Sequence, residues 1–186
     1  RENWINYRSL PMPEQQNKHP FCWELLGDLA VGRPSMGPLM RVEAYRLMQF
    51  TLRDVLERHY GTTAADSLFY EAGYLSGKHF YEQLIGPVAD LQQFIKQLGQ
   101  ALRDLGIGIL AVEEVDLQQG RFVVTVAEDL DCSGLPVLDS TLCTYDEGFV
   151  AALLESYCGR PFVVREVDCW TSGARICRFV ATACSE

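Results

Sequence analysis

Three cysteines and a glutamate near the end of the chain, Cys143, Glu166, Cys169 and Cys177, are the residues whose types could do chemistry together. Thiolates and a carboxylate suit Zn²⁺, a borderline-soft ion that takes four ligands in a tetrahedron. A hairpin turning at Gly173 would set Cys169 opposite Cys177, and Cα atoms facing each other across antiparallel strands lie roughly 4.5–5.5 Å apart. Both sulfurs could then reach one ion. Glu166 would add an anionic oxygen, and Cys143 would tie the start of a helix to the hairpin. Residues 166 and 169 have opposite parity, so a regular strand would point them to opposite faces. The strand must therefore bend or bulge between them if both bind. The pattern has no Cys-x-x-Cys pair, and buried thiols or a hairpin disulfide are competing readings of the same residues.

The elements that must position this set follow from hydrophobic period. Gly27–Arg33 and Pro38–Val42 read as two short strands around a turn. Glu43–Tyr60 reads as a helix with Met48, Leu52, Val55, Leu56 and His59 at helical spacing. A second helix, Thr63–Leu84, carries Gly73 and Gly77 in its middle, each costing about 1 kcal/mol against Ala. Close approach of another backbone would compensate. Pro87 opens a third helix, whose seam of Leu91, Ile95, Leu98, Leu102 and Leu105 is the cleanest amphipathic signal in the chain. It could face a cavity or a partner.

From Gly106 the period changes to that of strands, over Ile109–Leu117 and Arg121–Ala127, with Phe122, Val124 and Val126 on one face. The stretch from Glu128 to Thr141 is polar and turn-rich. Thr144-Tyr-Asp-Glu147 has capping-box spacing ahead of a helix that buries Phe149, Val150, Leu153, Leu154 and Tyr157. Phe162–Cys169 and Ile176–Ala183 form a last hairpin. This order predicts an α+β fold, an antiparallel sheet covered by helices, and excludes a doubly wound nucleotide fold.

The 186 residues suffice for one domain plus an arm. Residues 1–22 hold three of the eight prolines together with Trp4, Ile5 and Tyr7. They read as an arm that could contact a partner subunit, ahead of a domain over residues 23–186. A net charge of −9 with scattered Lys and Arg excludes a nucleic-acid surface. No apolar run reaches the roughly 20 residues of a membrane span. The chain opens Arg-Glu-Asn-Trp and reads as part of a longer protein. Seven cysteines, an odd count, favour reduced thiols and a cytoplasmic setting.

The stretch Pro136–Ala181 resembles the 4-vinyl-reductase-type domain, a small-molecule-binding family. The family's relatives include sensory domains of phenol- and xylene-responsive bacterial transcription activators. The resemblance rests on Cys143 at a helix start, then Gly159-Arg-Pro-Phe-Val-Val-Arg-Glu166-Val-Asp-Cys169, then Cys177-Arg-Phe179. It implies that Cys143, Glu166, Cys169 and Cys177 hold a structural Zn²⁺ that pins the C-terminal hairpin. Cys22, Cys132, Cys158 and Cys184 lie outside the pattern and read as buried or incidental thiols.

The resemblance further implies a small apolar or aromatic ligand between helices and sheet. Phe94, Phe122, Phe149 and Leu153 are the candidates to line its site, though aromatics at such spacing are also plain core. The polar Trp and His of the phenol-responsive relatives have no secure counterpart, which points away from phenol itself. Catalytic machinery is not expected. Gly106-Ile-Gly108 ends a helix rather than opening one, and His19, His59 and His79 suggest no nucleophile–base pair. Four protein ligands would close the zinc shell to water. The expectation is a homodimeric, cytoplasmic sensor domain that regulates an output module, such as a transcription activator, in signal transduction. The rivals are a tetrapyrrole-acting vinyl reductase or carrier, and an assembly or tethering module without ligand.

Overall fold

Gly73 and Gly77 meet the backbone that their place in a helix calls for. A Cβ on Gly73 would overlap the carbonyl oxygen of Tyr145, and one on Gly77 would press on the carbonyl of Phe149. The glycines sit on helix α3 (Thr62–Phe80), and their partner is helix α5 (Thr144–Cys158). Helix α5 returns the fit, since a Cβ on Gly148 would overlap the carbonyl of Tyr70. Two helices touch backbone to backbone here, and this contact sets where α5 begins.

The computed structural model describes residues 18–138 and 140–184. It separates into two units, Arg1–Arg41 and Val42–Glu186. Residues 1–17, most of the expected arm, lie outside the described residues. In the first unit Trp23–Leu26 forms a 3-10 turn, and Leu29–Gly32 (α1) forms one helical turn. Asp28 caps α1, accepting from the Val31 amide at 3.1 Å. The strands expected over Gly27–Arg33 and Pro38–Val42 do not form. An isolated two-strand ribbon is marginal, and the Asp28 cap stabilises a helical turn instead.

In the second unit α2 (Val42–Tyr60) precedes α3, which widens into a π-helical turn over Tyr81–Ile85 and stops at Gly86, φ 66°. Helix α4 runs Leu91–Asp104. Pro87 lies before its start, and the cap is Asp90, which accepts from the Gln93 amide at 2.8 Å. The sheet is antiparallel in the order β1-β2-β4-β3, from β1 (Ile109–Asp116), β2 (Arg121–Ala127), β3 (Phe162–Asp168) and β4 (Cys177–Ala183). The α+β expectation holds. Phe122, Val124, Val126, Phe162, Val164, Phe179 and Ala181 are all buried in one core with α4 and α5.

Helix α2 is packed the other way round from its sequence pattern. Its polar side faces the fold: the Tyr45 hydroxyl donates to Asp131 at 2.8 Å, and the Arg46 guanidinium donates to the Leu130 carbonyl at 2.8 Å. The Gln49 amide donates to Asp131 at 2.7 Å. Its apolar residues face outward, with Leu47 69% and Met48 57% exposed, and Leu52 and Val55 exposed too.

Candidate functional site

Strand β3 bulges between Glu166 and Asp168, as parity required. Beyond the bulge Cys169 caps the 3-10 turn Trp170–Ser172, and its amide donates to the Ser172 hydroxyl at 3.1 Å. Gly173 then turns the chain with φ 96°. Asp168 pairs with Arg178 across the hairpin, which brings Cys177, the first residue of β4, beside Cys169. Cys143 is the N-cap residue of α5. Its Sγ lies 3.8 Å from that of Cys169 and 3.9 Å from that of Cys177.

A fourth sulfur joins them. Cys132, read from sequence as an incidental thiol, has its Sγ 3.1 Å from that of Cys177. The sulfurs of Cys132, Cys143, Cys169 and Cys177 all lie within 4.8 Å of one another, and all four residues are buried. This buried cluster is compatible with a metal site. Cys158 is half-buried, and Cys22 and Cys184 are exposed.

Glu166 stands beside the cluster. One carboxylate oxygen, Oε2, accepts from the Cys143 amide at 3.2 Å, while Oε1 is buried without a hydrogen-bond partner. Burial, and then the charge of Cys169, push its carboxyl up to about 8. An orphaned carboxylate oxygen among buried thiols is what a cation would satisfy. Hydrogen bonds from Cys132, Cys143 and Cys177 hold the Cys169 thiol far below its ordinary range. Cys143 and Cys177 are pushed above theirs, first through hydrogen bonding with Cys132. The set is therefore poised to lose its first proton at Cys169.

The expected capping box of α5 does not form. The Glu147 carboxylate turns to β3 instead, taking the Glu166 amide at 2.8 Å and the Arg165 guanidinium at 2.9 Å. That contact ties the helix to the strand next to Glu166.

The seam of α4 faces inward. Between α4, α5 and the sheet lies a cavity of about 50 Å³. Phe94, Phe122, Phe149 and Leu153 all line it, with Leu98, Val124 and Phe179 beside them. Its polar wall consists of Asp129 and Asp146. Sequence reasoning passed over both. Asp146 sits in the first turn of α5, where an acid ordinarily serves the helix dipole in solvent, so nothing marked it. Asp129 lay in a stretch read as turns, and its Oδ1 accepts the amides of Asp131 and Cys132 at 2.9 and 3.1 Å. Burial, then the charge of Asp131, push Asp129 up to about 6. Burial, then Asp131, Asp129 and Glu166, push Asp146 well above the usual carboxylate range. Asp129, Cys143 and Asp146 also bring ligand atoms within 4.8 Å of one another. His59 is exposed, and His79 faces Glu82 at 3.9 Å, away from the cavity lining.

An antiparallel sheet backed by α4 and α5, with thiols gathered where α5 starts and the last hairpin turns, defines an α+β domain with a buried metal-compatible cluster. Residues 122–183, a third of the chain, match the vinyl-4-reductase (V-4-R) domain, and this stretch is such a domain. Two uncharacterized proteins of Methanocaldococcus jannaschii are similar in sequence. MJ0150 is 25% identical over 107 residues, covering 58% of this chain and 61% of that protein. MJ1642 is 30% identical over 84 residues, covering 45% of this chain and 50% of that protein. The chain thus aligns with less than two thirds of either relative's length.

Three solved structures share the fold. A vinyl-4-reductase family protein of M. jannaschii superposes with a TM-score of 0.59 at 16% identity, over 87% of this chain and 94% of that one. The phenol-responsive sensory domain of the transcription activator PoxR, solved with phenol, gives 0.58 at 15% identity, over 78% and 76%. A trafficking protein particle complex subunit 3 from Naegleria fowleri, covalently bound to palmitic acid, gives 0.60 at 11% identity, over 77% and 95%.

Proposed function

We propose that the chain is a sensory domain that takes a small apolar or aromatic molecule into the cavity under α4 and passes the event to an output domain of a longer signalling protein. The observation that carries this reading is the cavity itself, whose walls are apolar and whose lining helix α5 starts at the thiol cluster. A solid core would have favoured an assembly module instead. The void of about 50 Å³ is about a third of the ~150 Å³ known to admit benzene. A ligand of that size must therefore displace a wall, and a displaced helix is a signal. The phenol bound by the PoxR sensory domain supports the same class of ligand.

A structural Zn²⁺ on Cys143, Glu166, Cys169 and Cys177 would hold the wall that does not move. With Zn–S bonds of about 2.3 Å, two sulfurs on one tetrahedral ion sit about 3.8 Å apart. The separations of 3.8 and 3.9 Å from Cys143 match that edge, whereas the 3.1 Å between Cys132 and Cys177 is too short for it. The orphaned oxygen of Glu166 supplies the fourth donor in its place. Thiolate ligands suit a reducing, cytoplasmic compartment, and no described helix is long and apolar enough to cross a membrane. The outward apolar face of α2, with Leu47, Met48, Leu52 and Val55, supports a homodimer through that helix.

The test is metal content and ligand binding on the purified chain. About one zinc per chain and measurable toluene binding by calorimetry are expected. A metal-free protein of full stability that binds no apolar molecule would sink the proposal.

A further inference from the structure

The cavity has one chemically distinct end. Of the acids gathered there, Asp129 accepts two backbone amides and Asp131 accepts from Tyr45 and Gln49. The fourth carboxyl, Glu166, takes the Cys143 amide. Asp146 alone has a buried carboxylate oxygen, Oδ2, with no hydrogen-bond partner while its side chain lines the cavity. Its carboxyl group is wholly surrounded by protein, so the surface it retains belongs to the cavity wall. An unpaired buried carboxyl costs several kcal/mol, and no described residue offsets it.

The charge around Asp146 selects what could. Asp129, Asp131 and Glu166 all act on it as acids. The nearby cation, Arg46, spends its guanidinium on the carbonyls of Leu130 and Asp129, at 2.8 and 3.4 Å. The end of the cavity is thus acidic and short of hydrogen-bond donors, while the rest of its wall is aliphatic and aromatic. A hydroxyl would bring one donor and no charge. An ammonium brings three donors and a positive charge, and charge-assisted hydrogen bonds are about twice as strong as neutral ones.

We infer that the cavity is built for an apolar or aromatic amine, with its ammonium head on Asp146 and its hydrocarbon body between Phe94, Phe122, Phe149 and Leu153. This inference rests on the reading of the cavity as a ligand site, and deepens it by naming the chemical class. It also accounts for the absence of the polar Trp and His pair: the recognition element is on α5, not on the sheet or on α4.

Three nearly isosteric probes test it on the metal-loaded full chain: toluene, benzyl alcohol and benzylamine, measured by calorimetry at one pH and salt concentration. Benzylamine is expected to bind at least about tenfold tighter than the other two, the ratio of one charge-assisted hydrogen bond. In Asp146→Asn the advantage should fall to within about twofold, with toluene affinity kept. Toluene binding without preference for the amine would overturn this inference and leave the sensor reading standing. Binding of none of the three would overturn both. Two metal ions per chain, the second lost in Asp146→Asn, would overturn it as well, since Asp146 would then serve a cation of its own. If Asp146→Asn fails to fold, the wild-type ranking of the three probes decides alone.

Discussion

The two helical walls of the cavity are built on different principles. Helix α5 is held at its start by the Cys143 cluster, at its side by Glu147 on β3, and along its length by glycine contacts that leave no space against α3. Helix α4 has none of these ties. It lies on the sheet through Leu91, Phe94, Ile95, Leu98 and Leu102, and a Cβ at its own Gly99 would touch nothing within 4 Å. Backbone-to-backbone fit admits one position only. Interdigitated leucines admit several at modest cost. The difference assigns α5 as the fixed wall and α4 as the wall a ligand would move.

The glycines offer the largest break in that comparison. Gly73→Ala should cost more than about 3 kcal/mol or abolish folding, because a rigid carbonyl occupies the site. Gly99→Ala on α4 should leave stability unchanged or raise it by up to about 1 kcal/mol, since space is open and alanine is the better helix former. Urea denaturation of the two variants measures the contrast. Equal costs would mean that the walls are not different in kind.

The metal set comes next in size. Cys177→Ser should lose the ion and several degrees of melting temperature, whereas Cys132→Ser should keep about one zinc per chain by mass spectrometry under native conditions. Loss in both would make the set four thiolates and place Glu166 outside it. Acid should act in the same direction as Cys177→Ser. Metal binding must displace the protons of the thiols and of Glu166, whose carboxyl stands at about 8 without a metal, so zinc affinity should rise with pH toward and through that value. The metal-free chain should show the opposite sign. A carboxyl raised from 4.5 to about 8 stabilises the fold below its unfolded value, and that contribution is lost as pH rises through about 8. Thermal melts of both forms from mildly acidic to mildly alkaline pH would show the crossing.

On the mobile wall, Leu98→Ala should cost about 2–3 kcal/mol, toward the low end for a buried leucine because the cavity already borders it. The same variant should bind toluene more tightly, the void having grown without disturbing α5. A larger loss of stability with no gain in binding would argue that α4, too, is fixed. Smallest of all, a charge placed on the outward face of α2, as in Leu52→Glu, should leave the monomer's stability within about 0.5 kcal/mol, and sedimentation should show a homodimer dissociating.

Much of the architecture is legible in the sequence. The antiparallel hairpins, the inward seam of α4, the bulge demanded between Glu166 and Cys169, and the close approach at Gly73 and Gly77 all follow from parity, period and the cost of glycine in a helix. The first unit departs from its pattern because a hairpin signal carries no information on whether a third strand exists to support it. Helix α2 departs because its apolar stripe looks like a core face, while Tyr45, Arg46 and Gln49 find better partners in Asp131 and the Leu130 carbonyl.

The sequence by itself determined which residues could bind a metal and that the last hairpin would gather Cys169 and Cys177, since ligand chemistry and strand pairing are local. Only the tertiary structure decided that Cys132 enters the cluster, that Glu166 keeps an orphaned oxygen beside it, and that Asp146 lines an apolar cavity. Those facts depend on segments far apart in the chain being brought together by the glycine-tight packing of α3 on α5, and no local pattern encodes the surroundings of a side chain.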